Sequence, residues 1–125
     1  MTYRSEFGQL GENIACRYLV EKNYKIIERN HRQKWGEIDI IAKAPDKTLV
    51  FVEVKTVKNV SRETNNQISA EDQLTAAKLE KIKRTASLYA GHNQDMVDED
   101  KGWRIDLLAL TISGNHFEIK HYENI

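Results

Sequence analysis

Apolar residues recur at helical spacing from Ser5 to Lys22, where Phe7, Leu10, Gly11, Ile14, Ala15, Tyr18 and Leu19 mark one side of an amphipathic helix. Ser5 reads as its N-cap and Asn23 as its stop. Tyr24 to Asn30, with Ile26 and Ile27, is a short strand, and Ile38 to Ala42 and Leu49 to Lys55 are two further strands. Lys43 to Thr48 joins the last two and holds the only proline, in a Pro45-Asp46 turn signal. Residues 57–73 are polar and aperiodic, which predicts a long loop. Helical spacing returns from Thr75 to Ala90, with Leu79, Ile82, Ala86, Tyr89 and Ala90 on the buried stripe and Gly91 as the stop. After an acidic loop, Arg104 to Leu110 reads as a buried strand. Ser113-Gly114-Asn115 then turns the chain into a last strand over His116–His121. This order predicts a mixed sheet with helices on one or both faces, an α/β sandwich.

Composition narrows the class. With 125 residues, 40% apolar and 30% charged, the chain suits one globular domain over residues 1–125. The single cysteine, Cys16, excludes an internal disulfide framework and fits a reducing compartment. No run approaches the ~18 apolar residues of a membrane span, and the first residues lack a signal-peptide core. A cytoplasmic protein without a membrane partner is expected. The 19 basic residues balance 19 acidic ones, which argues against a polybasic binder. Position along the chain refines that picture, because Lys25, Arg29, Arg32 and Lys34 stand against Glu28 alone, and Lys78, Lys81, Lys83 and Arg84 against Glu80 alone. A solvated surface explains such clusters as well as a phosphate track does.

Chemistry concentrates in Gly36-Glu37-Ile38-Asp39-Ile40-Ile41 and Phe51-Val52-Glu53-Val54-Lys55. Alternate residues of a strand share a face, so Ile38, Ile40 and Ala42 form one face and Glu37, Asp39 and Ile41 the other. A hairpin turning at Asp46 would set Asp39 opposite Glu53 and Glu37 opposite Lys55. Two carboxylates side by side repel. A divalent cation removes the conflict, since carboxylate oxygens are what Mg²⁺ takes. Lys55, two residues beyond Glu53 on the same face, could neutralise a carboxylate or stabilise charge on a phosphate. The plainer alternative is a solvated hairpin face with a Glu37–Lys55 ion pair.

Asp, a hairpin and Glu-x-Lys together resemble the PD-(D/E)xK nuclease core, the restriction-endonuclease-like fold. More closely, Phe7 to Asn30, Gly36 to Ala42, Leu49 to Thr56, the lysine-bearing helix and Arg104 to Leu110 resemble the YraN family of predicted endonucleases, over nearly the whole chain. The resemblance implies that Asp39 and Glu53 hold Mg²⁺ or Mn²⁺ and that Lys55 is the active-site lysine. It also implies that Glu12 takes the place of the helix acid of the similar archaeal Holliday-junction resolvases. The chain departs from the family in Thr56-Val57-Lys58, where an arginine and a glycine-containing loop are common.

The expected function is therefore metal-dependent endonuclease action on nucleic acid, with branched or otherwise structured DNA foremost. Asp39, Glu53, Lys55 and Glu12 would act at the site, with Arg32, Lys34, Lys78 and Lys81 along the backbone of the nucleic acid. The alternative is a non-catalytic nucleic-acid-binding or adaptor protein on the same fold. A glycosidase using Asp39 and Glu53 is disfavoured, because no sugar cleft or aromatic platform is evident. Similar junction nucleases work as dimers, so a homodimer stays open. Asp106 is expected in an ion pair with Arg104 or a nearby lysine, and Trp35 and Trp103 in packing or a lid rather than base stacking. The four histidines show no metal-ligand spacing.

Overall fold

The computed structural model describes residues 6–58 and 74–125. Ser5 and most of the expected loop, 59–73, lie outside the described residues. Helix α1 (Glu6–Glu21) leads into strands β1 (Lys25–Gln33), β2 (Gly36–Lys43) and β3 (Leu49–Lys58). Helix α2 (Ala76–His92), a 3-10 turn at Gln94–Met96, and strands β4 (Trp103–Ser113) and β5 (His116–Tyr122) follow. The strands form one sheet in the order β1-β2-β3-β4-β5. Only β3 and β4 run parallel. A parallel pair requires a crossover, and α2 lies in the stretch that makes it. The result is a mixed five-stranded sheet with a helix on each face, the expected α/β sandwich and consistent with a restriction-endonuclease-like fold.

Local chemistry fixes the element ends. Asn23 takes a left-handed φ of 68°, and Tyr24 N–H reaches back to the Leu19 carbonyl at 2.9 Å, so α1 stops as its sequence predicts. In the Pro45-Asp46 turn, Asp46 accepts the Thr48 N–H at 3.0 Å. Gly91 does not end α2. The helix runs on to His92, and Asn93 caps it, its side-chain amide donating to the Tyr89 carbonyl at 2.9 Å. β3 also outruns its apolar pattern, because parallel pairing with β4 continues to Lys58–Ile112. A pairing partner distant in sequence extends the strand through polar residues.

Two cores flank the sheet. Ala15 and Leu19 of α1 pack with Ile40, Ala42, Val50, Val52, Leu108 and Leu110. Ile82, Ala86, Tyr89 and Ala90 of α2 pack with Ile38, Ile41, Leu49, Phe51 and Ile105. Two expectations need correction. The buried side of α1 is Gly11, Glu12, Ala15 and Leu19, while Leu10 is 47% exposed. Small residues decide this, since a Cβ on Gly11 would lie 2.1 Å from Thr56 Oγ1, and only glycine lets α1 sit so close to β3. In addition, Ile38 packs toward α2 while Ile40 and Ala42 pack toward α1. The simple alternation therefore breaks at Asp39.

Candidate active site

The β2–β3 ladder pairs Lys43 with Leu49, Ala42 with Val50, Ile41 with Phe51 and Ile40 with Val52. One more step in this register sets Asp39 beside Glu53. There the ladder ends: Asp39 Oδ2 accepts the Val54 N–H at 2.8 Å, so a side chain takes a main-chain donor of β3. β2 parts from β3 at this point, while β4 supports β3 along its whole length. The carboxyl pair therefore sits where β2 leaves β3 inside the sheet, with the Val54 N–H satisfied by Asp39 rather than by β2.

Glu53 is largely buried and hydrogen-bonded to Asp39. Lys55 Nζ lies 3.2 Å from Glu53 Oε1, with the two side chains 21% and 12% exposed. Leu49 and Phe51 face α2, and alternation places Glu53 and Lys55 on that face too. Burial first, and then the charge of Asp39, push the Glu53 carboxyl from its ordinary 4.5 up to about 8, against the opposing pull of Lys55. Near neutral pH the two carboxyls therefore hold a proton between them. The donors fit a hard divalent cation: oxygen ligands from two side chains, brought together at a cost that a cation in the proton's place would offset.

The structure assembles Asp39, Glu53 and Lys55, and sends the neighbouring acids elsewhere. Glu37 stands opposite Arg32 in the β1–β2 register, Arg32 Nε 3.6 Å from Glu37 Oε2, and is not matched with Lys55. β2 has already left β3 there, so the expected Glu37–Lys55 pair cannot form. Glu12 is 1% exposed on the α1 side of the sheet, its Oε1 3.7 Å from Arg29 of β1. It adjoins the Gly11–Thr56 contact, and Thr56 follows Lys55. Arg29 also donates to Asn13 Oδ1 at 2.7 Å.

Arg32, Lys34, Lys78 and Lys81 are all exposed. A Cβ on Gly36 would meet Thr85 Oγ1 at 2.3 Å and the Lys81 carbonyl at 3.8 Å, so the first half of α2 crosses the start of β2. This crossing brings Lys81 of α2 to the β1–β2 hairpin that carries Arg32 and Lys34.

A second buried acid lies on the α1 side. Asp106 is fully buried and accepts from Arg104 Nε at 2.9 Å and the Asn124 N–H at 3.0 Å; its Oδ2 lies 2.8 Å from His121 Nε2. The Arg104 partner is the one expected. Sequence reading missed His121, which β5 brings in. Only the β4–β5 register around the Gly114 turn, pairing Leu108 with His121, could have placed it. Asp106, His121 and Glu123 offer ligand atoms within 4.8 Å of one another. The Arg104 guanidinium, 3.7 Å from Glu123 Oε1, already supplies the positive charge that these acids need.

The model of the uncharacterised protein family UPF0102 matches residues 11–110. This chain belongs to that family. A UPF0102 protein of Sulfurihydrogenibium sp. is 40% identical over 121 residues, covering 97% of this chain and 94% of the relative. UPF0102 proteins of Flavobacterium johnsoniae and Campylobacter concisus are 34% and 37% identical, covering 97% and 95% of this chain and 94% and 92% of their own lengths. The UPF0102 match takes in Glu12, Asp39, Glu53, Lys55 and Asp106. No helix among the described residues is long and apolar enough to cross a membrane.

Proposed function

We propose that this UPF0102 chain is a metal-dependent phosphodiesterase of the PD-(D/E)xK type that cleaves nucleic acid internally, with structured DNA as the foremost substrate. One observation carries the reading: two carboxyls share a buried site where β2 parts from β3, with a lysine ammonium 3.2 Å away. Asp39 and Glu53 would hold Mg²⁺ or Mn²⁺, which when bound supplies positive charge at the scissile phosphate. Asp39 is kept in place by the Val54 N–H, so its carboxylate is aimed before any ligand arrives. Lys55 sits where it can donate to a phosphate oxygen or orient a water. Arg32, Lys34, Lys78 and Lys81 give the backbone of the nucleic acid something to lie against. Glu12, held by Arg29, acts as a positioning residue beneath β3.

The test is cleavage of duplex, single-stranded, flap and four-way-junction DNA, with RNA alongside, in Mg²⁺ or Mn²⁺. Wild type should cut at least one of them, and Asp39→Ala and Glu53→Ala should lose at least ~100-fold. Lack of metal-dependent cleavage on every substrate sinks the enzyme reading. Retained binding in that case favours a non-catalytic adaptor.

A further inference from the structure

Between β1 and the second half of α2 lies a recess of about 180 Å³. Trp35 and Leu88 line it and are 42% and 38% exposed, so an indole and a branched alkyl group stand side by side in water. Tyr89 and His31, packed edge-on with centroids 5.0 Å apart, line its buried side. Gln33 and Asn93 bring amide groups. The Asn93 amide nitrogen is committed to the Tyr89 carbonyl, which turns its oxygen into the group offered to a ligand. His31 is oriented by Glu28, with Nδ1 and Oε2 2.5 Å apart. A flat apolar ring, an aliphatic cover and hydrogen-bonding groups in a space for one heterocycle are what a nucleobase requires.

Its place in the fold relates this recess to the carboxylate pair. His31 pairs in register with Ile38, which packs toward α2, so the recess opens on the face that carries Glu53 and Lys55. Trp35 precedes Asp39 by four residues of chain, roughly 13 Å at ~3.3 Å per residue. Arg32 and Lys34 flank Trp35 around the β1–β2 connection, where they can hold the phosphates on either side of a captured base. Trp103, the other tryptophan, is engaged elsewhere: its ring packs edge-on against Phe51 with centroids 5.5 Å apart.

We propose that the Trp35 recess receives one unpaired nucleobase of the substrate strand, a few nucleotides from the phosphate at Asp39 and Glu53. The inference rests on the phosphodiesterase reading and names its substrate class: strands with a base out of the stack, such as flaps, gaps and junction branches. A fully paired blunt duplex keeps its bases stacked and leaves the recess empty.

The test uses Trp103→Phe, which leaves Trp35 as the only tryptophan. Its emission is followed while a short oligothymidylate, an abasic strand of equal length and a blunt duplex are added in Ca²⁺. The oligothymidylate should quench Trp35, and the abasic strand should bind without quenching. Trp35→Ala should weaken oligothymidylate binding roughly 10-fold while leaving the abasic strand and the duplex within about twofold. Trp35→Phe should recover most of the loss. Equal quenching by the abasic strand, equal weakening of both strands, or no strand binding at all overturns the recess. Asp39→Ala separates this inference from the reading beneath it. If no DNA is cleaved yet base-dependent quenching survives in Trp103→Phe both with and without Asp39→Ala, the phosphodiesterase reading fails and the recess stands. If cleavage holds and quenching ignores the base, the recess fails alone.

Discussion

Replacing Glu53 by glutamine should make the metal-free protein more stable, and increasingly so as pH rises. Glu53 is 12% exposed and its carboxyl is pushed from 4.5 up to about 8, chiefly by burial and then by Asp39. Below 4.5 the folded and unfolded chains both carry the proton, so the group does not discriminate between them. Between 4.5 and about 8 only the folded chain holds it, and stability falls by ~1.36 kcal/mol per pH unit. Above about 8 both states have lost it and the full penalty applies, an upper limit of roughly 5 kcal/mol. The glutamine amide does not titrate, and it keeps a hydrogen bond to Asp39. The measurement is urea unfolding of wild type and Glu53→Gln in chelator, across roughly pH 5 to 9. The two midpoints should lie close together at the acid end, with the variant ahead by several kcal/mol at the alkaline end. Because the proton is shared, Asp39→Asn is run in parallel. A stability difference independent of pH in both variants would falsify the claim of a coupled, buried carboxyl pair.

Further outcomes follow from the same geometry. At pH 7 a carboxyl that titrates near 8 is mostly protonated, so Mn²⁺ binding should release close to one proton per ion; calorimetry in two buffers of different ionisation enthalpy reads this, and zero release argues against Glu53 as a ligand. Asp106→Asn should cost ~3–5 kcal/mol in urea unfolding by leaving Arg104 buried beside a neutral partner. Burial alone would raise the Asp106 carboxyl, yet His121, Arg104 and the Asn124 N–H hold it below its ordinary 3.8, so its stabilisation is present above that value and lost as pH falls through the lowered one. Gly11→Ala should destabilise by ~1–3 kcal/mol through the Thr56 contact. Thr56→Ala in the same chain should recover much of that loss, and strict additivity by thermal melting would rule the contact out. Burial also raises the Cys16 thiol, so folded protein should react more slowly with a thiol reagent at neutral pH than unfolded protein does.

Much of the fold is legible in the sequence because local and global signals agree. The 3.6-residue spacing of α2, the Pro45-Asp46 turn and the Asn23 stop each depend on neighbours in sequence, and each appears where the pattern puts it. The register that joins Asp39 to Glu53 is legible for the same reason, since a short turn transmits it. The illegible parts depend on distant partners or on side-chain bonds that apolar spacing does not mark. β3 reaches Lys58 because β4, far along the chain, pairs with it. Asn93 replaces Gly91 as the helix stop through a side-chain bond that composition does not announce. The buried side of α1 keeps Gly11, Ala15 and Leu19 of its apolar spacing but leaves Leu10 exposed and takes in Glu12, because closeness of approach selects the small residues and the acid between them. Ile38 changes cores because β2 parts from β3 at Asp39, a departure that strict alternation cannot express.

Of the acids Glu12, Glu53 and Asp106, all largely or fully buried, the last two make the contrast that supports reading the strand parting as a site. Asp106 is fully buried, and the fold surrounds it with a guanidinium, a histidine and a main-chain N–H, so its carboxyl falls below the ordinary value. Glu53 is also largely buried, yet its closest companions are another acid and one lysine, and its carboxyl rises. The domain is able to satisfy a buried acid, as Asp106 proves, so the state of Glu53 does not reflect a shortage of means. A local cost of this kind at a buried carboxyl pair supports the proposal that a cation offsets it. Zero net charge conceals local contrast: Asp39 and Glu53 meet at the strand parting, Asp95 to Asp100 form an acidic loop, and Lys78 to Arg84 and Lys25 to Lys34 are basic runs. On the proposed function, attraction to nucleic acid would be local, strongest where a backbone reaches the carboxyl pair and the Trp35 recess together.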